Sequence, residues 1–110
     1  MKLVTRPAAR QDILNQYKYY LFDQGSESAS ERFLVSMEDT IQQILRWPGT
    51  GAPVSPAFPG LNGLRSASIR GFPAIRIYYL VSDGALRIIR VLHGKRDLES
   101  ILQDESLGPS

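Results

Sequence analysis

The chain has 110 residues, 43% of them apolar, and no cysteine; this suits one domain spanning residues 1–110 with one modest core, and it excludes disulfides and thiolate metal sites. No apolar run approaches the ~20 residues needed to cross a bilayer and the opening residues lack the apolar stretch of a secretory signal, so a cytoplasmic protein with no membrane association is expected. The formal net charge is only +2, and a single histidine, His93, leaves just a carboxylate-rich metal site open, so neither metal nor cofactor is expected.

Residues 2–4 read as a short strand. Thr5 is a candidate N-cap for a first helix, with Pro7 in the first turn, where its missing N–H costs little. Ile13, Leu14, Tyr17, Tyr20 and Leu21 recur at one-face helical spacing, and Gly25 stands where a glycine would end the helix. The run Ser28-Ala29-Ser30-Glu31 reads as a capping box opening a second helix. Its apolar stripe of Ala29, Phe33, Leu34, Met37, Ile41, Ile44 and Leu45 continues until Trp47-Pro48-Gly49. Two such helices form an antiparallel hairpin whose shared face needs cover. Residues 48–63, rich in proline and glycine, read as a long connecting loop, either functional or mobile.

The remainder reads as a β-meander over 64–70, 74–82 and 85–92, with a turn at Gly71-Phe72-Pro73. Asp83-Gly84 predicts a two-residue type I′ turn that pairs Ser82 with Ala85 and sets the register. Residues 96–103 can form one or two helical turns. The fold class is therefore α+β: a helical hairpin packed on a mostly antiparallel sheet.

Alternation outward from the turn separates two faces. Ile75, Ile77, Tyr79, Val81, Leu86, Ile88 and Leu92, interrupted by Arg90, form the face the helices cover. Ala74, Arg76, Tyr78, Leu80, Arg87, Ile89, Val91 and His93 form the other, with Arg76 opposite Val91. Arg90 on the apolar side reads as a paired structural charge, with Asp12 and Asp97 as candidate partners.

Charge supports a binding role for the outer face. Residues 61–96 carry seven basic side chains (Arg65, Arg70, Arg76, Arg87, Arg90, Lys95, Arg96) against Asp83 alone, a local +6, whereas 97–110 is −4. A basic middle implies an anionic partner, nucleic acid or an acidic protein segment, although scattered arginines on a solvated sheet give the same pattern. Arg76 can grip a carboxylate or phosphate through its planar fork, and Tyr78 can stack or donate a hydrogen bond. His93, with Lys95 and Arg96, closes the last strand. A histidine can serve as general acid or base because the unperturbed imidazole pKa lies near neutrality, but no serine, cysteine or paired carboxylate stands beside this one in a recognised catalytic arrangement.

The run Ile89-Arg90-Val91-Leu92-His93-Gly94-Lys95-Arg96-Asp97, preceded by Ala74-Ile75-Arg76-Ile77-Tyr78-Tyr79, resembles the C-terminal signature of the ParE/RelE toxin superfamily of plasmid-stabilisation toxins. Pro7-Ala8-Ala9-Arg10-Gln11-Asp12-Ile13 resembles the start of its first helix, and the likeness follows the order β-α-α-β-β-β-α. It implies a cognate ParD-like antitoxin and a hetero-oligomer with it. The ParE-like branch, which the resemblance favours, inhibits DNA gyrase by binding its A subunit, with no catalytic residue of its own. The RelE-like branch cleaves mRNA on the ribosome with clustered lysines, arginines and a C-terminal tyrosine. Under that alternative Arg76, Arg96 and His93 are the catalytic candidates, but Leu61-Asn62-Gly63 replaces lysines and Leu102 stands near the tyrosine's place. A degenerate member that retains only antitoxin binding is a third reading. For binding antitoxin or target the candidates are Arg76, Tyr78, Arg87, His93, Lys95 and Arg96.

Overall fold

The computed structural model describes residues 1–54, 59–94 and 101–102. Strand β1 (Lys2–Thr5) leads directly into α1 (Pro7–Lys18). Pro7 occupies the first helical position, where no intrahelical N–H is needed. Arg6, not Thr5, is the N-cap, because strand pairing extends through the preceding residue: the Arg6 N–H donates to the Ile88 carbonyl at 3.1 Å. The helix then widens into a π-helical turn, Tyr19–Asp23. Gly25 (φ +61°) ends it, and the Ser26 N–H reaches back to the Tyr20 carbonyl.

This tight exit moves the start of α2 (Glu27–Arg46) two residues ahead of the capping box expected at Ser28. Ser26 is the cap and its hydroxyl accepts from the Ala29 N–H at 3.0 Å, while the Ser30 hydroxyl, already inside the helix and buried, donates to the Glu27 carbonyl. Phe33, Ile41 and Ile44 point inward as the periodicity requires, whereas Leu34 and, on α1, Leu14 remain exposed. A 3₁₀ turn, Pro48–Thr50, follows α2.

Among the described residues the sheet has five strands in the order β1-β5-β4-β3-β2, where β2 is Ala52–Pro53, β3 Arg65–Ile69, β4 Phe72–Ser82 and β5 Ala85–His93. All neighbours are antiparallel except β1, which runs parallel to β5. The β4–β5 turn has the expected form: Asp83 and Gly84 have φ of 53° and 72°, and Ser82 pairs with Ala85. Halfway along, the register shifts: Tyr79 faces Ile88, yet Tyr78 faces Arg90, so Ile89 is an extra residue in a β-bulge. Past it the faces of β5 differ from strict alternation. Arg76 lies opposite Leu92, not Val91, and His93 pairs with Ile75. Val91 joins the helix-side core, and Leu92 packs on the opposite side.

Each face of the sheet has its own apolar cluster. Ala9, Phe33, Ile41 and Ile44 of the helices cover Ile69, Ile75, Ile77, Tyr79, Leu86, Ile88 and Val91. On the outer face Leu61, Leu64 and Leu102 bury Tyr78, Leu80 and Ile89, with Val54 and Leu92 at the margin. The segment after α2 is thus partly core. It contributes β2, absent from the expected strands, and two buried leucines. Of the terminal helix expected over 96–103, Ile101 and Leu102 fall within the described residues and are helical.

Tyr79 fastens that segment to the sheet. Its ring is 1% exposed, its hydroxyl donates to the Pro48 carbonyl at 2.7 Å, and it accepts from the Gly51 N–H at 2.9 Å. Gly51 is required by space: a Cβ there would lie 2.8 Å from the Ser66 carbonyl oxygen and closer still to the Tyr79 hydroxyl. Tyr79→Phe should keep the packing and strand the buried Gly51 N–H and the partly buried Pro48 carbonyl, lowering stability by about 1–3 kcal/mol in urea denaturation. A loss below about 0.5 kcal/mol would mean that water takes over both bonds.

Candidate functional site

Arg76 stands in the middle of β4 on the outer side of the sheet, and β3 supplies what holds it. Its Nε–H donates to the Ser66 hydroxyl at 3.0 Å, Nη1 to the Ser68 hydroxyl at 2.8 Å and Nη2 to the Ser66 carbonyl at 3.3 Å. Ser68 is directly opposite Arg76 in the β3–β4 register, so the pairing follows from strand geometry. Among the described residues no carboxylate reaches this guanidinium. It borders a cavity of about 290 Å³ lined by Thr40, Gln43, Thr50, Gly51, Ser66 and Ser68 with neighbouring apolar groups. Neither serine was a candidate in the sequence; the signal was their period-two spacing on the strand next to an arginine.

Tyr78 is not a surface group. It is 2% exposed beneath Leu61, Leu64 and Leu102, and desolvation raises its pKa above the ordinary phenol value, an effect that the Arg76 charge partly offsets. Alternation alone placed it outward correctly, but the covering residues come from the proline-rich segment and the helical turn at Ile101 and Leu102. Arg87 is half-buried, and its Nε–H donates to the Ser82 hydroxyl at 3.1 Å across the hairpin.

His93 departs from its expected neighbours. It is exposed and lines a cavity of about 410 Å³ with Asp12, Asn15, Gln16, Tyr19, Val91 and Leu92, against α1. Arg76 and His93 therefore do not converge. Pairing with Ile75 turns His93 to the helix side of the sheet, and Arg76 turns to the other. Lys95 and Arg96 lie outside the described residues.

Arg90 is engaged by Asp12 from α1. Its Nε–H and Nη2–H donate to the two carboxylate oxygens at 2.7 and 2.8 Å, a bidentate fork. The carboxylate also accepts the Val91 N–H at 2.9 Å. β1 pairs only with Ala85–Ile88 of β5, so among the described residues no strand pairs with the rest of β5 on that side, and Asp12 caps its Val91 N–H with a charge.

Among the described residues no three or more His, Asp or Glu side chains gather as metal ligands, and no helix is long and apolar enough to cross a membrane. The chemistry on display is that of guanidinium, hydroxyl and amide donors on a scaffold of a helical hairpin over a five-stranded sheet. These features define a small α+β protein whose described groups are equipped to hold anions. The family model described as the ParE toxin of the type II toxin-antitoxin system parDE matches residues 3–98, and the chain belongs to that family. A solved structure of a chromosomal ParDE toxin-antitoxin system from P. aeruginosa has the same fold: TM-score 0.68 at 17% identity, covering 86% of this chain and 96% of that one. A comparison with curated proteins finds no match.

Two outcomes test this geometry. Asp12→Asn keeps the side-chain shape but removes the charge from the fork, and should cost about 1.5–3 kcal/mol in a denaturant titration; an unchanged midpoint would show the bridge to be energetically idle. Tyr78 keeps its proton in the fold at pH values where the unfolded chain has lost it. Stability is therefore whole below about pH 10 and falls as pH rises through the elevated folded pKa. Tyr78→Phe should flatten that alkaline fall; equal slopes for both proteins would rule Tyr78 out as its source.

Proposed function

We propose that this toxin acts by binding the A subunit of DNA gyrase and stopping the enzyme, with no catalytic group of its own, and that an antitoxin neutralises it by forming a hetero-oligomer with it in the cytoplasm. Membership of the ParE family supports the toxin role and the antitoxin partner. The observation that carries the choice of binding over RNA cleavage is the separation of Arg76 from His93. Cleavage at a 2′-hydroxyl needs a proton acceptor, a proton donor and a stabiliser of the pentavalent phosphorane, all within hydrogen-bond reach of one phosphate. Here the titratable imidazole and the best-placed guanidinium serve opposite sides of a sheet, and the neighbouring phenol of Tyr78 is buried. Arg76 and Arg87 suit recognition of a negatively charged protein surface or segment, through planar donors held at fixed positions.

Supercoiling by purified gyrase should stall as the toxin is added, with cleaved DNA accumulating, and cells expressing the toxin without its antitoxin should stop growing. Gyrase that keeps full activity at large toxin excess overturns the reading. So do cuts in ribosome-bound mRNA made by the same preparation.

A further inference from the structure

Beyond Ile88, β5 loses β1 as a neighbour, and its register shows which backbone groups are left over. The Gly94 N–H donates to the Ala74 carbonyl and the Val91 N–H to Asp12. Leu92 and Gly94 therefore turn their amide groups toward β4, while Val91 and His93 turn theirs away from it, on the side of α1. Among the described residues nothing takes the Val91 carbonyl or the His93 N–H, so one acceptor and one donor stand next to each other on the strand edge. The cavity of about 410 Å³ between α1 and the end of β5 meets this edge. Leu92 borders it although its side chain packs on the other face of the sheet, which puts the strand's backbone in the wall.

Helix α1 and the turn that follows it supply the facing wall, a stripe of Asp12, Asn15, Gln16 and Tyr19 at helical spacing. Tyr19 opens the π-helical turn, a geometry frequent at functional sites. Its ring packs edge-on against Tyr20 at 5.4 Å and its hydroxyl accepts from the Gln24 amide at 2.9 Å, yet the residue is 42% exposed. The Asn15 side-chain carbonyl accepts from Gln11, which leaves the Asn15 amide protons as donors. Charge is already cancelled here, because Asp12 forks with Arg90. An anion in the cleft would meet the Val91 carbonyl and Asp12, and a cation would meet the His93 N–H. A peptide strand would need the Val91 N–H for its ladder, and Asp12 holds that group. The arrangement calls for a small, neutral, flat ligand that carries a donor beside an acceptor.

We propose that this cleft binds an adenine-type base. The exocyclic amine donates to the Val91 carbonyl, the adjacent ring nitrogen accepts from the His93 N–H, and the ring stacks on Tyr19. Reading an unpaired base by its edge while an aromatic ring holds its face is a general mode of recognition. The cavity volume falls within the range of small-molecule pockets, about 300–1,000 Å³. A hypoxanthine-type base offers the reverse edge, so its ring N–H would face an N–H and its carbonyl a carbonyl. Cytosine has the same edge as adenine but a smaller face for Tyr19.

The inference goes beyond the binding of gyrase and antitoxin, and neither is needed to test it. Adenosine is titrated into the isotope-labelled full chain and followed by nuclear magnetic resonance, beside inosine and purine riboside, which lacks the exocyclic amine. Adenosine should move the His93 amide and Tyr19 ring signals together. Purine riboside, short of one hydrogen bond, should bind about fivefold more weakly, and inosine should leave both signals in place. Tyr19→Ala should weaken adenosine binding about tenfold, whereas Tyr19→Phe, which keeps the ring, should stay within about threefold of the unchanged chain. A short oligoriboadenylate separates the two sources of such a base. Affinity per base equal to that of adenosine assigns the site to a free nucleoside, and tighter binding at the same signals assigns it to single-stranded RNA; the edge recognition stands in both. Equal binding of adenosine and inosine, shifts that miss His93, or unmoved signals at millimolar adenosine would each overturn the proposal.

Discussion

The shape of the molecule depends on one extra residue. Ile89 is inserted into β5 between the partners of Tyr79 and Tyr78, and beyond it Val91 and Leu92 lie on the faces opposite those that simple counting gives. Without the bulge Val91 would leave the helix-side core, Leu92 would enter it, and His93 would stand on the same side as Arg76. With it, the apolar residues of β5 serve two clusters at once, and the last turn of the strand presents the Val91 N–H to Asp12. A bulge bends and twists its strand locally, which lets a nine-residue strand follow both the short β1 and the helix that begins where β1 ends.

Much of this was legible in the sequence because the signals were local. The inward positions Phe33, Ile41 and Ile44, the break at Trp47-Pro48, and the Asp83-Gly84 turn each follow from residue chemistry within a few positions, although Leu14 and Leu34 of the expected stripes stay exposed. The bulge carried no such mark. Ile88, Ile89 and Arg90 are unexceptional strand residues, and without a glycine between them nothing local announces an insertion. The fate of Tyr78 was hidden for a different reason. Its cover is non-local, drawn from Leu61, Leu64 and Leu102, and the many prolines around the first two disguise a core contribution as a spacer.

For the candidate site the division is similar. The arginines were visible by type, and Arg76 does stand on the outer face. What composition did not reveal is how their charge is distributed. Arg90 is tied to Asp12, Arg65 to a carbonyl and Arg87 to a serine. Four of the arginines in this basic stretch, Arg65, Arg76, Arg87 and Arg90, are therefore individually anchored groups. Anchoring removes side-chain freedom before any partner arrives, so a ligand meets a preorganised donor and forfeits less entropy on binding.

The burial of Leu102 has a bearing on how the protein can be handled. Because that side chain is 0% exposed and packs in the outer cluster with Tyr78 and Ile89, the helical turn at Ile101 and Leu102 is structural material. Shortening the polypeptide before that leucine would unroof aromatic and aliphatic surface in the centre of the sheet.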